Sequence, residues 1–116
     1  MTAKERKRAW IYCAIDAPED IHDKLKNQYR QLCDYALQMS FEVAGSSSDI
    51  GGRPLWKRKG FQHFMQAVKD GRADILLIVS QNSLSRSSMQ MAQLQAMAES
   101  YKLEIFSPLE GKIHFY

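Results

Sequence analysis

Five cations and one aspartate carry most of the chemistry open to this chain. Arg53, Lys57, Arg58 and Lys59 fall in one short stretch, and Arg86 follows the apolar run ILLIV at residues 75–79. A guanidinium offers donors in a fixed fork that matches phosphate or carboxylate geometry. Several cations converging on one point would make an anion site. The plainer reading of a basic run is a solvated face, and Arg86 fits a solvated loop equally well. Asp16 ends the first apolar segment. Phosphoryl-transfer α/β folds place an aspartate at such a strand end, as acid or nucleophile, normally with a second carboxylate and a metal. No residue pattern here supplies that pair, so helix capping is the simpler role for Asp16. His22, His63 and His114 are scattered, and the chain has no GxGxxG, GxxxxGK[ST], GxSxG or HExxH. No metal site and no cofactor are expected.

The elements that must position these residues follow from periodicity. Residues 75–79 are aliphatic without interruption and too short for a helix. They read as a strand buried on both faces, as in a parallel sheet. A polar tract then leads to Arg86 and a helix, the place where open α/β sheets bind ligands. Residues 10–15 (WIYCAI) form a first strand. Pro18 and the acidic residues after it suit a helix start, giving a helix over about 19–39 with the stripe Ile21, Leu25, Tyr29, Leu32, Ala36 and Met39. Residues 41–45 are a short second strand, and the Ser/Gly-rich residues 46–52 a flexible loop whose backbone could lie beside a phosphate. Trp56 sits inside the basic stretch. Phe61, Phe64, Met65 and Val68 then mark a helix stopped at Gly71. A helix over about 85–101 turns Leu94, Met97, Ala98 and Tyr101 inward. Strands at 103–106 and 112–116 close the chain, the last one antiparallel after a tight turn. The basic residues 1–8 form a frayed lead-in. The whole reads as α/β, with a mainly parallel sheet of about five strands, an antiparallel edge strand and helices on both faces.

Composition narrows the class. The 116 residues make one domain, 45% hydrophobic and 25% charged, with net charge +3. That is ordinary for a soluble globular protein and only mildly basic. Cys13 and Cys33 lack metal-ligand spacing and read as small buried thiols of a reducing cytoplasm. No run spans a bilayer and no signal region opens the chain, so a cytoplasmic protein without membrane association is expected.

Taken together, these blocks resemble the N-terminal catalytic domain of the serine recombinases, the resolvase/invertase family. The blocks are Ile11-Tyr12-Cys13-Ala14-Ile15-Asp16, Asp49-Ile50-Gly51-Gly52, Arg58-Lys59-Gly60-Phe61 and Asn82-Ser83-Leu84-Ser85-Arg86. The departures matter as much as the match. The family's strand-one motif is Tyr-x-Arg-Val-Ser, whose serine attacks the DNA phosphodiester and whose arginine helps bind it. Here Ala14 stands for that arginine and Asp16 for that serine. The later motif is Leu-Asp-Arg-Leu-Ser-Arg. Asn82 replaces its aspartate and Ser83 its first arginine, while Leu84, Ser85 and Arg86 fit. Arg58 fits the family's active-site arginine.

The resemblance therefore implies a three-layer resolvase-like domain in DNA recombination, of the kind carried by mobile elements, that has become a pseudoenzyme. No catalytic residue is expected, with Ala14, Asp16, Asn82 and Ser83 the degenerate positions. Arg58, Arg86, Arg53 and Lys57 are the expected phosphate and DNA contacts. The partners implied are DNA, bound weakly by the domain alone, and a second copy or an active recombinase. Family members continue into a dimerisation helix and a DNA-binding domain. The expectation here is a single domain over residues 1–116 without the latter. Two other readings stay open: an active recombinase fragment, motivated by Arg58 and Arg86, and an anion- or small-molecule-binding α/β domain.

Overall fold

In the computed structural model, which describes residues 7–114, the sheet has the order β2-β1-β3-β4-β5. The strands are β1 (Arg8–Ile15), β2 (Glu42–Ile50), β3 (Ile75–Leu77), β4 (Glu104–Ser107) and β5 (Gly111–Lys112). The first four pair parallel and β5 pairs antiparallel to β4. The helices are α1 (Lys24–Gln38), α2 (Lys59–Lys69) and α3 (Ser88–Tyr101). The expected lead-in falls largely on residues 1–6, outside the described residues, as do residues 115–116 of the expected last strand.

Strand alternation divides the core in two. Ala9, Ile11 and Cys13 of β1 face one side, with Leu32 and Ala36 of α1. Trp10 and Tyr12 face the other, with Phe61 and Phe64 of α2 and Leu94 and Ala98 of α3. Ile75 and Leu77 side with α1, and Leu76 with α2 and α3, so β3 is buried on both faces. The unbroken apolar run is what that position demands. This is a three-layer α/β domain with helices on both faces. Among the described residues no helix is long and apolar enough to cross a membrane.

Several boundaries differ from the sequence reading. Residues 19–23 are not helical. Asp23 has φ 54°, in the left-handed region, so no regular helix passes through it. Asp20 caps α1 from outside, its carboxylate accepting from the Lys24 and Leu25 amides at 2.7 and 3.0 Å. The inward stripe shortens accordingly: Leu32 and Ala36 are buried, but Ile21 and Tyr29 are exposed. Residues 46–50 are strand, not loop. Gly45 lies beneath the Trp10 indole, where an added Cβ would sit 2.5 Å from the ring. Ser47 Oγ accepts from Trp10 Nε1 at 2.9 Å and donates to the Gly60 carbonyl at 2.6 Å. Small residues are required there by close approach of the neighbouring layers. The turn is confined to Gly51 and Gly52, with φ 93° and 61°. β3 is shorter than expected, α3 starts at Ser88, and β5 spans two residues before the described chain ends. Tyr101 is exposed, not inward.

Candidate functional site

The sheet changes direction between β1 and β3, since the chain leaves β1 for β2 on one side and later places β3 on the other. The carboxyl ends of β1 and β3 diverge into loops at that point, which is where open α/β sheets form clefts. A cleft of about 220 Å³ lies there, and Ala14, Asp16, Arg58, Asn82, Ser83 and Arg86 all line it. Residues from three separate blocks of the sequence thus converge on one site.

The back of the cleft is tied down. Asp49, at the end of β2, accepts from the Gly60 and Phe61 amides at 2.8 and 2.9 Å, which caps α2 from a neighbouring strand. The Tyr12 hydroxyl donates to the same carboxylate at 2.7 Å. Burial raises the Tyr12 phenol far above its ordinary titration range; Arg58 pulls it back and Asp49 adds to the rise. Tyr12 therefore stays a protonated donor. Arg58 is fixed by neutral acceptors: Nε donates to the Arg53 carbonyl at 2.7 Å and a terminal nitrogen to the Ser83 carbonyl at 2.8 Å. A longer contact of 3.4 Å reaches the Tyr12 hydroxyl. Its side chain is immobilised while its charge is left uncompensated by any ion pair in the described structure.

Gln28 clasps the floor from α1. Its amide donates to the Ala14 carbonyl and accepts from the Ala14 amide, both at 3.0 Å. One side chain thus satisfies both backbone groups of the last turn of β1, as a neighbouring strand would. Neither Gln28 nor the Tyr12–Asp49 pair was singled out from sequence. The available signals were a glutamine on the α1 face toward β1, and a tyrosine on the opposite face of β1 from Ile11.

The front of the cleft is open. Asp16, Asn82 and Arg86 are exposed. Gly52, at φ 61°, folds back over Asp16, and an added Cβ would lie 3.4 Å from Asp16 Oδ1. Helix capping, the simpler role for Asp16, belongs to Asp20 instead. Arg53 shares a second depression with Asp16, Arg58 and Arg86 on the rim. Lys57 and Lys59 do not reach the cleft. They line a separate groove with Arg53 and Arg58. Trp56 turns away from the basic stretch: Nε1 donates to Gln93 of α3 at 2.6 Å and the ring packs edge-on against Phe61, centroids 5.5 Å apart. It is a packing residue, not a stacking surface. Cys13 is buried beside Cys33, and its thiol is pushed up to about 11, first by burial and then by Cys33. An unionised buried thiol is a poor nucleophile. Among the described residues no group of three or more His, Cys, Asp or Glu is placed to hold a metal.

Comparison with known proteins follows the same lines. Residues 17–114 match the family described as Resolvase, N terminal domain. No curated protein matches the chain significantly by sequence. Among solved structures, the N-terminal catalytic domain of TP901-1 integrase superposes with a TM-score of 0.79 at 20% identity, over 90% of this chain and 80% of that one. The C-terminal catalytic domain of ISC1926 TnpA, an IS607-like serine recombinase, gives 0.76 at 23% identity, over 86% and 66%. A resolvase family site-specific recombinase from Streptococcus pneumoniae gives 0.74 at 18% identity, over 91% and 74%. At these identities the superpositions establish a shared fold.

Proposed function

The chain belongs to the resolvase N-terminal-domain family, and from that premise we propose that it is a recombinase-fold domain that binds DNA without cutting it, acting as a recombination-associated binding or regulatory module. The observation that carries this reading is Asp16: a carboxylate, not a hydroxyl, stands at the carboxyl end of β1 on the cleft wall that Arg58 and Arg86 share.

Serine recombination needs an alkoxide-like oxygen and several cations around a phosphorane whose charge builds in the transition state. A carboxylate at the reacting position repels the phosphodiester before any bond forms. Attack through it would form an acyl phosphate, which water would hydrolyse, and the DNA end would be lost instead of passed to a new partner. Ala14 withdraws the guanidinium the family carries on β1, and Ser83 withdraws another after β3. Removing one such donor typically costs ~100- to 1,000-fold in rate. Ser80 and Ser83 line the cleft, and the adduct assay below reads both. Ser83 is buried, and its carbonyl is held by Arg58. Ser85 Oγ is engaged with Gln90 at 2.7 Å. Arg58 and Arg86 remain, and with Arg53 on the rim they supply attraction for a phosphate without a group to attack it. An association with an active recombinase, or with a second copy, would give such a domain a regulatory place in the reaction.

The test is a cleavage assay on supercoiled plasmid, quenched in denaturant. The expected result is unbroken supercoiled DNA and no protein attached to it. A covalent adduct at any serine, or nicked plasmid that depends on the protein, overturns the proposal.

A further inference from the structure

The groove beside the cleft is built differently from the cleft. Its walls are Arg53, Lys57 and Lys59; its floor is Ser48, Ile50 and Leu25, where α1 begins and β2 ends; its volume is about 500 Å³. Ile50 is 42% exposed, an apolar side chain held open at the end of an edge strand. None of the three cations has an ion-pair partner among the described residues, where Lys7, Arg8, Arg72 and Lys112 carry the acidic contacts. The one carboxylate on the groove wall among the described residues, Asp49, is consumed by two amides and a phenol. The same contacts occupy the Gly60 and Phe61 amides in the first turn of α2, so the attraction comes chiefly from the side chains.

We propose that this groove holds a backbone phosphate of duplex DNA outside the cleft, with Lys57 and Lys59 on the phosphate and Ile50 and Leu25 against the adjoining sugar. The inference rests on the reading above only in taking DNA as the partner. Duplex is favoured over a single strand because, among the described residues, no aromatic ring lines the groove and Trp56 is spent on α3; single-strand sites rely on stacking platforms. Arg58 forms a wall of both groove and cleft. A strand lying along Lys59, Lys57, Arg58 and Arg53 toward Arg86 would meet cations over its whole path and the carboxylate of Asp16 at one point only. Affinity would then come from the groove as well as from the cleft arginines, while Asp16 stands at the reacting position.

Equilibrium binding of the full chain to two unrelated labelled duplexes, by anisotropy at 50 to 200 mM salt, tests this. Each neutralised phosphate contributes a slope of about −0.9 to log K against log salt, so Lys57→Gln with Lys59→Gln, which together give up one phosphate, should flatten the slope by about 0.9. Across that fourfold salt range the wild type should therefore lose ~3.5-fold more affinity than the double variant. Both lysines are exposed, and an unchanged thermal melt would show that the variant folds. Equal flattening on both duplexes supports the inference. An unchanged slope in the double variant overturns it, and so does displacement of the duplex by polyglutamate at equal charge concentration, which would reassign the groove to an acidic protein. None of these outcomes alters the plasmid assay, which judges the absence of cleavage separately.

Discussion

The two ends of this sheet treat charge in opposite ways. At the amino ends of the strands the charges are paired. Arg8 holds Asp74 through its guanidinium at 3.2 Å and its backbone amide at 3.0 Å. Lys7 and Lys112 both reach Glu104, and Arg72, in the connection entering β3, reaches Asp70 at 3.3 Å. At the carboxyl ends, Asp16, Arg53, Lys57, Lys59 and Arg86 take part in none of these ion pairs. Behind those open charges, Tyr12, Asp49, Gly60 and Arg58 are knitted as tightly as any core residues. One end spends its charges on structure. The other keeps a rigid backing and leaves its charges unpaired among the described residues.

Substitutions should separate these regions by size of effect. Removing Asp49 strikes the backing hardest. Asp49→Ala would strip the cap from α2 and leave the buried Tyr12 hydroxyl without its acceptor, costing about 2–4 kcal/mol in a denaturant melt. Gly60→Ala comes next. An added Cβ would lie 2.6 Å from Asp49 Oδ2 and closer still to the Ser48 carbonyl oxygen, with the strand backbone unable to yield. A loss of about 1–3 kcal/mol is expected from overpacking of this kind, and it should also blunt DNA binding by displacing Arg58.

The amino end should respond more weakly. Arg8 holds the Asp74 carboxyl below its ordinary value, chiefly by hydrogen bonding, and Lys7 does the same for Glu104. A depressed folded-state value means that each carboxylate adds stability above its unfolded value, and that this is lost as pH falls through the folded one. Stability should therefore be flat near neutrality and fall as pH drops below the ordinary carboxylate range. Asp74→Asn should reduce that acid-side slope. At neutral pH it should cost no more than about 1 kcal/mol, as exposed pairs do.

Asp16→Asn should give the smallest stability change of the series, within about 0.5 kcal/mol, because the side chain is exposed and makes no hydrogen bond or ion pair among the described residues. Its effect should appear in binding. Removing one negative charge about 6 Å from a phosphate in a water-like dielectric gains about 0.7 kcal/mol, roughly threefold tighter duplex binding at low salt. A variant that is unchanged in stability yet binds DNA more tightly would mark the carboxyl end as a binding surface. A large loss of stability would instead place Asp16 with the structural charges of the other end.

How much of this was legible in the sequence depends on whether a local signal existed. The apolar run at 75–79 announced β3 because burial on both faces leaves no polar positions. The basic stretch and Arg86 were visible as composition, and topology placed Arg58 and Arg86 in one cleft. The serines of β2 misled because strand formation there is dictated from outside the segment: the Trp10 indole over Gly45, and the Trp10 and Gly60 contacts of Ser47. Propensity alone favours a loop for such residues. The start of α1 was misplaced because Pro18 and its acidic neighbours satisfy every local rule for a helix start, while the capping carboxylate, Asp20, acts from outside the helix. Asp49 was visible only as the head of a family-like block, with nothing local to mark its capping role. Its role depends on α2 arriving at the end of β2, a contact between residues 11 and 12 apart in sequence.

The account turns on binding without bond-breaking, and one experiment reads both halves. An end-labelled duplex is bound by the full chain at low salt, the complex is confirmed on a native gel, and the same sample is run in SDS. The prediction is a shifted band that vanishes completely in detergent, with the label recovered as intact strand. Label that stays attached to protein in SDS, or that emerges shortened, would contradict it.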